Sequence, residues 1–568
     1  MHGASSFRHF RVARARCAPE RSGDLHFPLY TRGMNVRQRS VYQWWSPIAG
    51  AVAAVTLAGC VMVGPDYTRP PAPAPEHWMD TSDATISQEH ADYSGWWTVF
   101  GDPTLTTLVE MAYRQNPSLQ AAGARVLEAE ANRGIAIGTL YPQIQEAAGG
   151  YSYSRLSKNR ANQSGINHAF SDWNVGFDAA WELDFWGRFR RGIESADAQL
   201  LASVANYDDA LVSLVAEVAL NYITLRTLEE RLAVAHSNVD IQQSSYEIVS
   251  EKFRGGAVTK LDEEQAASLL EDTRALIPSL EASIRQAQND LCVLLGIPPQ
   301  DLHDILGGTR PIPNAPPQVA VGIPAELLRR RPDIRRAERV LAAQSAQIGI
   351  AKTDLLPRLT LVGNIGVAST DFADLFTQNS FQAFGGPSFR WAILNYGRII
   401  NNMRVQDAEY QALVSDYENT VLSAEREVES AIAGFLGARR QVDFLGRSVD
   451  AAHNAVTLAD LQYREGAADY TRVINTQQFL LTEQDKWVST RGAVALNLTA
   501  LYRALGGGWE LREGKDFVPP ETAKQMRERT YWGDRLSSEE QQATPKAAAN
   551  GTESERGWWR WRWWWPQW

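Results

Sequence analysis

One cysteine stands where a thiol can be modified. Cys60 closes the run Leu57-Ala58-Gly59-Cys60, which ends an apolar stretch begun at Ile48, with Arg37 and Arg39 upstream. A basic start, a short apolar middle and small residues before the cleavage point read as a secretory signal rather than a membrane span. The last four residues look like a bacterial lipobox. Ala58 and Gly59 suit a peptidase pocket, and the Cys60 thiol can take a diacylglycerol before cleavage. The mature chain then begins at Cys60, and Met34 reads as the start because residues 1–33 lack any targeting pattern. Val61, where an aspartate favours inner-membrane retention, points to the outer membrane. Each buried acyl CH₂ contributes about 0.8 kcal/mol, so a di- or triacylated Cys60 is a firm anchor. The plainer alternative is an ordinary signal peptide with a chance cysteine.

No second chemical centre emerges. The nine histidines are scattered, and none forms H-x-x-x-H or sits at zinc spacing from a cysteine. Three cysteines are too few for a disulfide framework, and Cys292 lies in an apolar run that reads as packing. Gly506-Gly507-Gly508 lacks the Lys-Ser/Thr of a phosphate loop and reads as a helix-ending turn. No enzyme, metal or cofactor beyond the lipid on Cys60 is expected. A net charge of −10 argues against nucleic-acid binding. With no run of eighteen apolar residues, a membrane crossing is expected to be a barrel.

The elements that surround this anchor repeat. Trp181-Glu-Leu-Asp-Phe-Trp-Gly187-Arg188 pairs with Trp391-Ala-Ile-Leu-Asn-Tyr-Gly397-Arg398, 210 positions later. Phe253-Arg254-Gly-Gly256 pairs with Tyr463-Arg464-Glu-Gly466, and Leu295-Gly296 with Leu505-Gly506, at the same offset. Asn116-Pro117 pairs with Arg331-Pro332, and Tyr141-Pro142 with Leu356-Pro357, at an offset of 215. Two blocks of constant spacing read as a tandem duplication.

Each copy predicts two strands of period-2 alternation. In the first, Trp173, Val175, Phe177, Ala179, Trp181 and Leu183 share a face opposite Asn174, Asp178 and Glu182; the partner strand begins after Pro142, with a polar loop near 155–172. In the second, Leu359, Leu361, Gly363, Ile365 and Val367 share a face, and Phe389, Trp391 and Ile393 share that of the returning strand. Such strands suit a membrane barrel, although the same faces could close a soluble sandwich. Long helices follow. The stretches 188–252 and 398–462 contain no proline, and some 65 helical residues reach about 100 Å. Leu211, Leu214, Val218, Asn221, Leu225, Leu228 and Leu232 suggest a coiled-coil seam with one polar interruption. The chain is expected to return over about 262–295 and 473–505, giving two helical hairpins.

With these residues in view, the chain resembles the outer-membrane efflux family (TolC-like), in its NodT-like lipoprotein branch. The matching stretches are Cys60-Val-Met-Val-Gly-Pro-Asp-Tyr67, Trp96-Trp97-Thr-Val-Phe100-Gly-Asp102-Pro103, Leu140-Tyr-Pro-Gln143, the Trp181–Arg188 run, Arg330-Arg-Pro-Asp-Ile334, Tyr463-Arg-Glu-Gly466 and Ala504-Leu-Gly-Gly-Gly-Trp509. The resemblance implies a mixed α and transmembrane β fold: a homotrimer with a 12-stranded barrel, four strands per protomer, continued by a long α-helical periplasmic tunnel. It also implies a passive outlet for small molecules such as drugs, toxic compounds or metal ions. The implied partners are outer-membrane lipid, a periplasmic adaptor protein and an inner-membrane resistance-nodulation-division pump, with no nucleic acid. Carried over residue by residue, the family's periplasmic aperture falls on Tyr463, Arg464, Gly466, Asp469, Tyr470 and Arg472 in the second copy. In the first it falls on Phe253, Arg254, Gly256, Lys260 and Asp262. Some members carry paired acids one turn apart where this chain has Arg472 and Asn475, which leaves the identity of the charged ring open. These charges could instead simply solvate helix ends.

The expected organisation is a signal peptide over 1–59, an N-terminal lipoprotein segment with equatorial elements over 60–115, a first repeat over 116–310, a second over 331–509, and a polar tail over 510–568. Residues 510–556 read as a linker, and 557–568 as a Trp/Arg-rich end that is either headgroup-binding or low-complexity. The rival class is a lipid-anchored coiled-coil structural or adhesive envelope protein without transport. A Cys60→Ser substitution is expected to abolish incorporation of labelled palmitate; undiminished label would remove the anchor.

Overall fold

The computed structural model describes residues 62–536, apart from 73–74, 90–91, 160, 162–164 and 166. Cys60 and the Trp/Arg-rich end lie outside the described residues. In chain order the helices are α1 (Pro103–Gln115), α2 (Pro117–Gly138), α3 (Arg188–Arg254), α4 (Lys260–Leu294), α5 (His303–Leu306), α6 (Pro324–Arg330), α7 (Pro332–Thr353), α8 (Arg398–Arg464), α9 (Tyr470–Ala504) and α10 (Pro520–Arg529). The strands are β1 (Ile86–Ser87), β2 (Ile144–Arg155), β3 (Ala169–Glu182), β4 (Val319–Ala320), β5 (Arg358–Ser369) and β6 (Phe381–Arg390).

The two long helices are 67 residues each, their return helices 35 each, and both pairs keep the 210-residue offset. Helices α2 and α7 are 22 residues each at the 215 offset. Their ends follow from local chemistry. Gly187 and Gly397 stand before α3 and α8 with φ of 79° and 80°, a left-handed turn that a residue with a Cβ adopts only with strain. The 22-residue helices begin at Pro117 and Pro332, whose missing N–H costs nothing in a first turn.

A shared device joins each of these helices to the far end of its hairpin. Asn116 caps α2 by accepting from the Leu119 N–H at 2.9 Å, and its amide donates to the Leu294 carbonyl at 2.9 Å. Arg331, its counterpart, donates to the Ala504 carbonyl at 2.8 Å. Each therefore satisfies one of the carbonyls left orphaned at a helix C-terminus. Burial raises the demand on Arg331, which is also held by Asp333 at 2.8 Å and Glu427 at 2.9 Å.

Helix α3 does not carry the narrow seam that its leucines suggested. Leu211, Leu214, Val218 and Leu225 are buried, but so are Val212, Val215, Tyr222 and Ile223 on other faces. Leu228 and Leu232 are only half-buried. Asn221 donates to the Glu217 carbonyl of its own helix at 2.9 Å and reads nothing across a seam. The reason is packing on every side, by α1, α2, α4, α7 and α9. By length and composition this helix could cross a membrane, but 67% of its apolar window is buried inside the protein.

The sequence beyond 510 departs most from expectation. Residues up to Leu536 fold back as an ordered strap, with Phe517, Val518, Ala523, Met526 and Leu536 buried. Phe517 meets Tyr207 edge-on at 5.3 Å, and its carbonyl lies where a Cβ on Gly123 would be. The electrostatic fastening is Asp208, fully buried, which accepts from Arg512 Nε at 2.7 Å and from Arg335 Nη2 at 2.7 Å. Polar composition hid five anchoring apolar side chains and an ion triad centred on buried Asp208. The N-terminal segment is fastened similarly: Arg191, 1% exposed, pairs with Asp66 at 2.7 Å and Glu194 at 2.6 Å. An Asp208→Ala change takes the carboxylate partner from buried Arg512 and half-buried Arg335 and is expected to cost about 3 kcal/mol. Limited proteolysis should then cut within 513–536, and resistance equal to wild type would contradict this fastening.

Candidate functional site

The sheet supplies the first wall. Its order is β2-β3-β5-β6, antiparallel throughout, so among the described residues β2 and β6 each pair on one side only. Register places Val175 beside Val367 and Phe381, Phe177 beside Ile365 and Ala383, and Trp181 beside Leu361 and Pro387. This face is apolar and largely exposed. On the opposite face Glu146 stands beside Asp178, which stands beside Asn364 and accepts from its amide at 2.6 Å. Gly176 opposes Gly366 there, and a Cβ on Gly366 would lie 2.6 Å from the Val175 carbonyl. That close approach admits only glycine. Phe384, exposed on the polar face opposite Asn364, breaks the alternation.

The strand bounds correct the sequence reading in two places. The loop spans 156–168, because Arg155 pairs with Ala169 and the hairpin runs further than its polarity suggested. Strand β6 ends at Arg390, so Trp391 and Ile393 lie beyond it rather than on its face. Trp391 instead turns its indole N–H to the Leu355 carbonyl at 2.9 Å. Trp181 makes the repeat-related bond to the Leu140 carbonyl at 3.1 Å. Trp186 donates to the Pro357 carbonyl at 2.8 Å. At this junction of strands and helices Tyr141, Trp391, Ile393, Leu394 and Tyr396 are exposed.

The second wall is the exposed side of α8. Ile400, Val405, Leu422, Phe444, Leu458 and Leu461 are exposed along it, whereas α3 is enclosed. The two halves of the chain thus have equal helices and unequal burial.

At the far end both hairpin turns come together. Gly256 and Gly466 take φ of 75° and 74° to end α3 and α8. Thr259 and Asp262 form a capping box at the start of α4, and Asp469 caps α9 by accepting from the Arg472 N–H at 3.2 Å. Lys252 reaches across to the Tyr463 carbonyl at 2.9 Å and lies 4.3 Å from its ring. Tyr470 bonds Ser245 at 3.1 Å through its hydroxyl.

The aperture candidates separate into two groups here. Tyr463 and Tyr470 are 5% and 2% exposed and form a cluster with Val249, Ala266, Ala459 and Val473. They hold the two turns together instead of lining an opening. Burial pushes the Tyr463 hydroxyl up to about 12. Arg254, Lys260, Arg464, Asp469 and Arg472 are exposed, with Asp262 half-exposed. Several of these charges are answered locally: Lys260 by Glu263 and Glu264 at 2.8 Å, and Arg464 by Asp460 at 2.8 Å. Glu263 is held below the usual carboxylate range by Lys260 and by the Ser250 hydroxyl. Sequence reading passed over Lys252, Ser245 and Asp460. Spacing of i,i+4 signals Asp460, but no local pattern signals a contact made between hairpins.

Known proteins share this arrangement. A family model described as outer membrane efflux protein matches residues 108–297 and again 323–507, one match on each half. The chain is 32% identical to the pyoverdine export outer membrane protein OpmQ of Pseudomonas putida, over 73% of this chain and 88% of the relative. It is 31% identical to nodulation protein T of Rhizobium leguminosarum bv. trifolii, over 80% and 96%. Among solved structures, the outer-membrane channel OprN superposes with a TM-score of 0.74 at 32% identity, covering 79% of this chain and 99% of that one. CusC superposes with a TM-score of 0.68 at 28% identity, covering 78% and 99%. Tyr470→Phe is expected to remove the hydrogen bond to Ser245 and lower stability by about 1 kcal/mol, read as a lower denaturant midpoint. An unchanged midpoint would mean that the contact contributes nothing.

Proposed function

Because the chain belongs to the outer membrane efflux protein family, and so acts as an outer-membrane efflux channel component, we propose that three copies close into one conduit. The observation that carries this is a four-stranded sheet with an apolar outer face and one-sided pairing at β2 and β6. Four strands enclose no useful bore, and an open edge is intolerable in lipid; twelve strands from three copies remove every edge. The exposed apolar residues of α8 supply the matching contact below. Helices of about 100 Å then carry the bore through the periplasm.

The polar face with Glu146, Asp178 and Asn364 lines the bore, and the chain drives nothing itself. A lipid on Cys60 adds the anchor. The hairpin ends are the surfaces for a periplasmic adaptor and a proton-driven inner-membrane pump. The two family matches and the equal helix lengths support an origin by tandem duplication. The cargo is a small molecule chosen by the pump. The OpmQ relative exports pyoverdine, and CusC is named for cation efflux.

The exposed charges at the tip narrow the closed opening. Asp469 also caps a helix, so Asp469→Ser, which keeps the cap, isolates the charge. In planar bilayers the purified trimer should conduct, and Asp469→Ser and Arg472→Ala should each raise conductance severalfold. No conductance from wild type or either variant would favour a structural or adhesive protein. Conductance unchanged by both variants would remove these two residues from the gate.

A further inference from the structure

Phe384 interrupts the polar face of the sheet, and nothing in the fold accounts for it. Its side chain is 68% exposed, so it adds little buried apolar area to the core. The ring contacts of the sheet are made elsewhere, by Tyr151 with Trp173 on the opposite face and by Trp173 with Phe372. The neighbours of Phe384 leave its ring bare. Along β6 the adjacent residues on that face are Gln382 and Gly386, and a Cβ on Gly386 would meet nothing within 4 Å. Across on β5, Asn364 gives its amide to Asp178 at 2.6 Å, and Gly366 stands on the diagonal.

Charge on this face is unevenly placed. The cross-strand row that ends in Phe384 runs Glu146, Asp178, Asn364, Phe384, so two carboxylates share its level. With strands about 4.8 Å apart, Asp178 stands about 10 Å from the strand that carries the ring. The arginines of the same face, Arg358 and Arg390, oppose each other at the helical end of β5 and β6. They lie six residues, about 20 Å, along the strands from Asn364 and Phe384. Arg358 is also paired with Asp354 at 2.6 Å. The level of Phe384 is thus acidic, with the bases well removed from it.

The face of a phenyl ring is electrically negative and attracts organic cations, and nearby carboxylates raise their local concentration while repelling anions. We propose that Phe384 is a stacking platform in the bore that favours aromatic or quaternary organic cations over anions, a selection exerted after the pump. This rests on the reading that three copies close into a barrel with the polar face inward. Closure leaves the ring uncovered, because β2, the strand that would pair with β6, offers Glu146, Ala148, Gly150 and Ser152 to that face, with one large apolar residue, Ile144, at its start.

The test measures block of the purified trimer in planar bilayers by benzyltrimethylammonium added from the barrel side, with benzenesulfonate as the anion of similar size. Wild type should be blocked by the cation and not by the anion. Phe384→Tyr, which keeps the ring, should be blocked equally, whereas Phe384→Leu, which keeps the bulk, should need about threefold more cation for half block. Equal block of Phe384→Leu and wild type makes the residue a simple constriction and overturns the proposal. So does wild type that conducts but is not blocked, or is blocked as strongly by benzenesulfonate. Phe384→Ala serves as the second ring-free variant and should match Phe384→Leu; full wild-type block in it would likewise overturn the platform. Absence of any conductance in wild type overturns the conduit reading and this proposal with it, whereas conductance with the wrong pattern of block overturns the platform alone.

Discussion

A β-sheet in hydrocarbon cannot leave an edge open, because each unpaired N–H and C=O there costs several kcal/mol. The sheet of this protein is built in a way that fits that constraint. One chain supplies four strands with an apolar outer face, too few to close. In the proposed conduit, the unpaired edges make assembly a condition of membrane insertion. Glycines at 176 and 366 let neighbouring strands approach closely on the polar side, where the Asp178–Asn364 bond spans the pair.

Below the sheet the same chain solves a different problem. Helices of this length gain stability from lateral packing, not from propensity. Helix α3 is packed all round by its own chain, whereas α8 leaves apolar residues uncovered. Helices related by a fixed offset thus differ in burial, one enclosed and the other open along one side. The junctions stayed equivalent. Asn116 and Arg331 each hold the last carbonyl of a returning helix, one with an amide and the other with a guanidinium. Different chemistry meets one backbone requirement, since an orphan C=O asks only for a donor.

The tip follows the same economy. Its tyrosines are buried between hairpins, and two of its charges, Lys260 and Arg464, are answered within about one turn by Glu263 and Glu264 and by Asp460. Exposed charges at a tip built so can be altered without dismantling the fold, because the tyrosine cluster holds the turns together independently of them. Sequence resemblance put tyrosines and charges into one group of aperture residues. Burial separates them into a scaffold and a surface.

The sequence by itself determined the element inventory: the period-2 strands, the proline-free helices, the glycine stops at 256 and 466, and both offsets of the repeat. These are local properties, set by φ preference, side-chain alternation and the missing N–H of proline, so they can be read without knowing the fold. Only the tertiary structure decided that residues 510–536 are a fastened strap, that α3 is enclosed and α8 open, and that Tyr463 and Tyr470 face inward. Each depends on partners far away in the chain, as Asp208 does on Arg512 and Ser245 on Tyr470. A side chain's type states what it can bond, but its depth is a property of the whole packing. The lipid anchor proposed for Cys60 is of the local kind too, since it rests on the four residues that end in that cysteine.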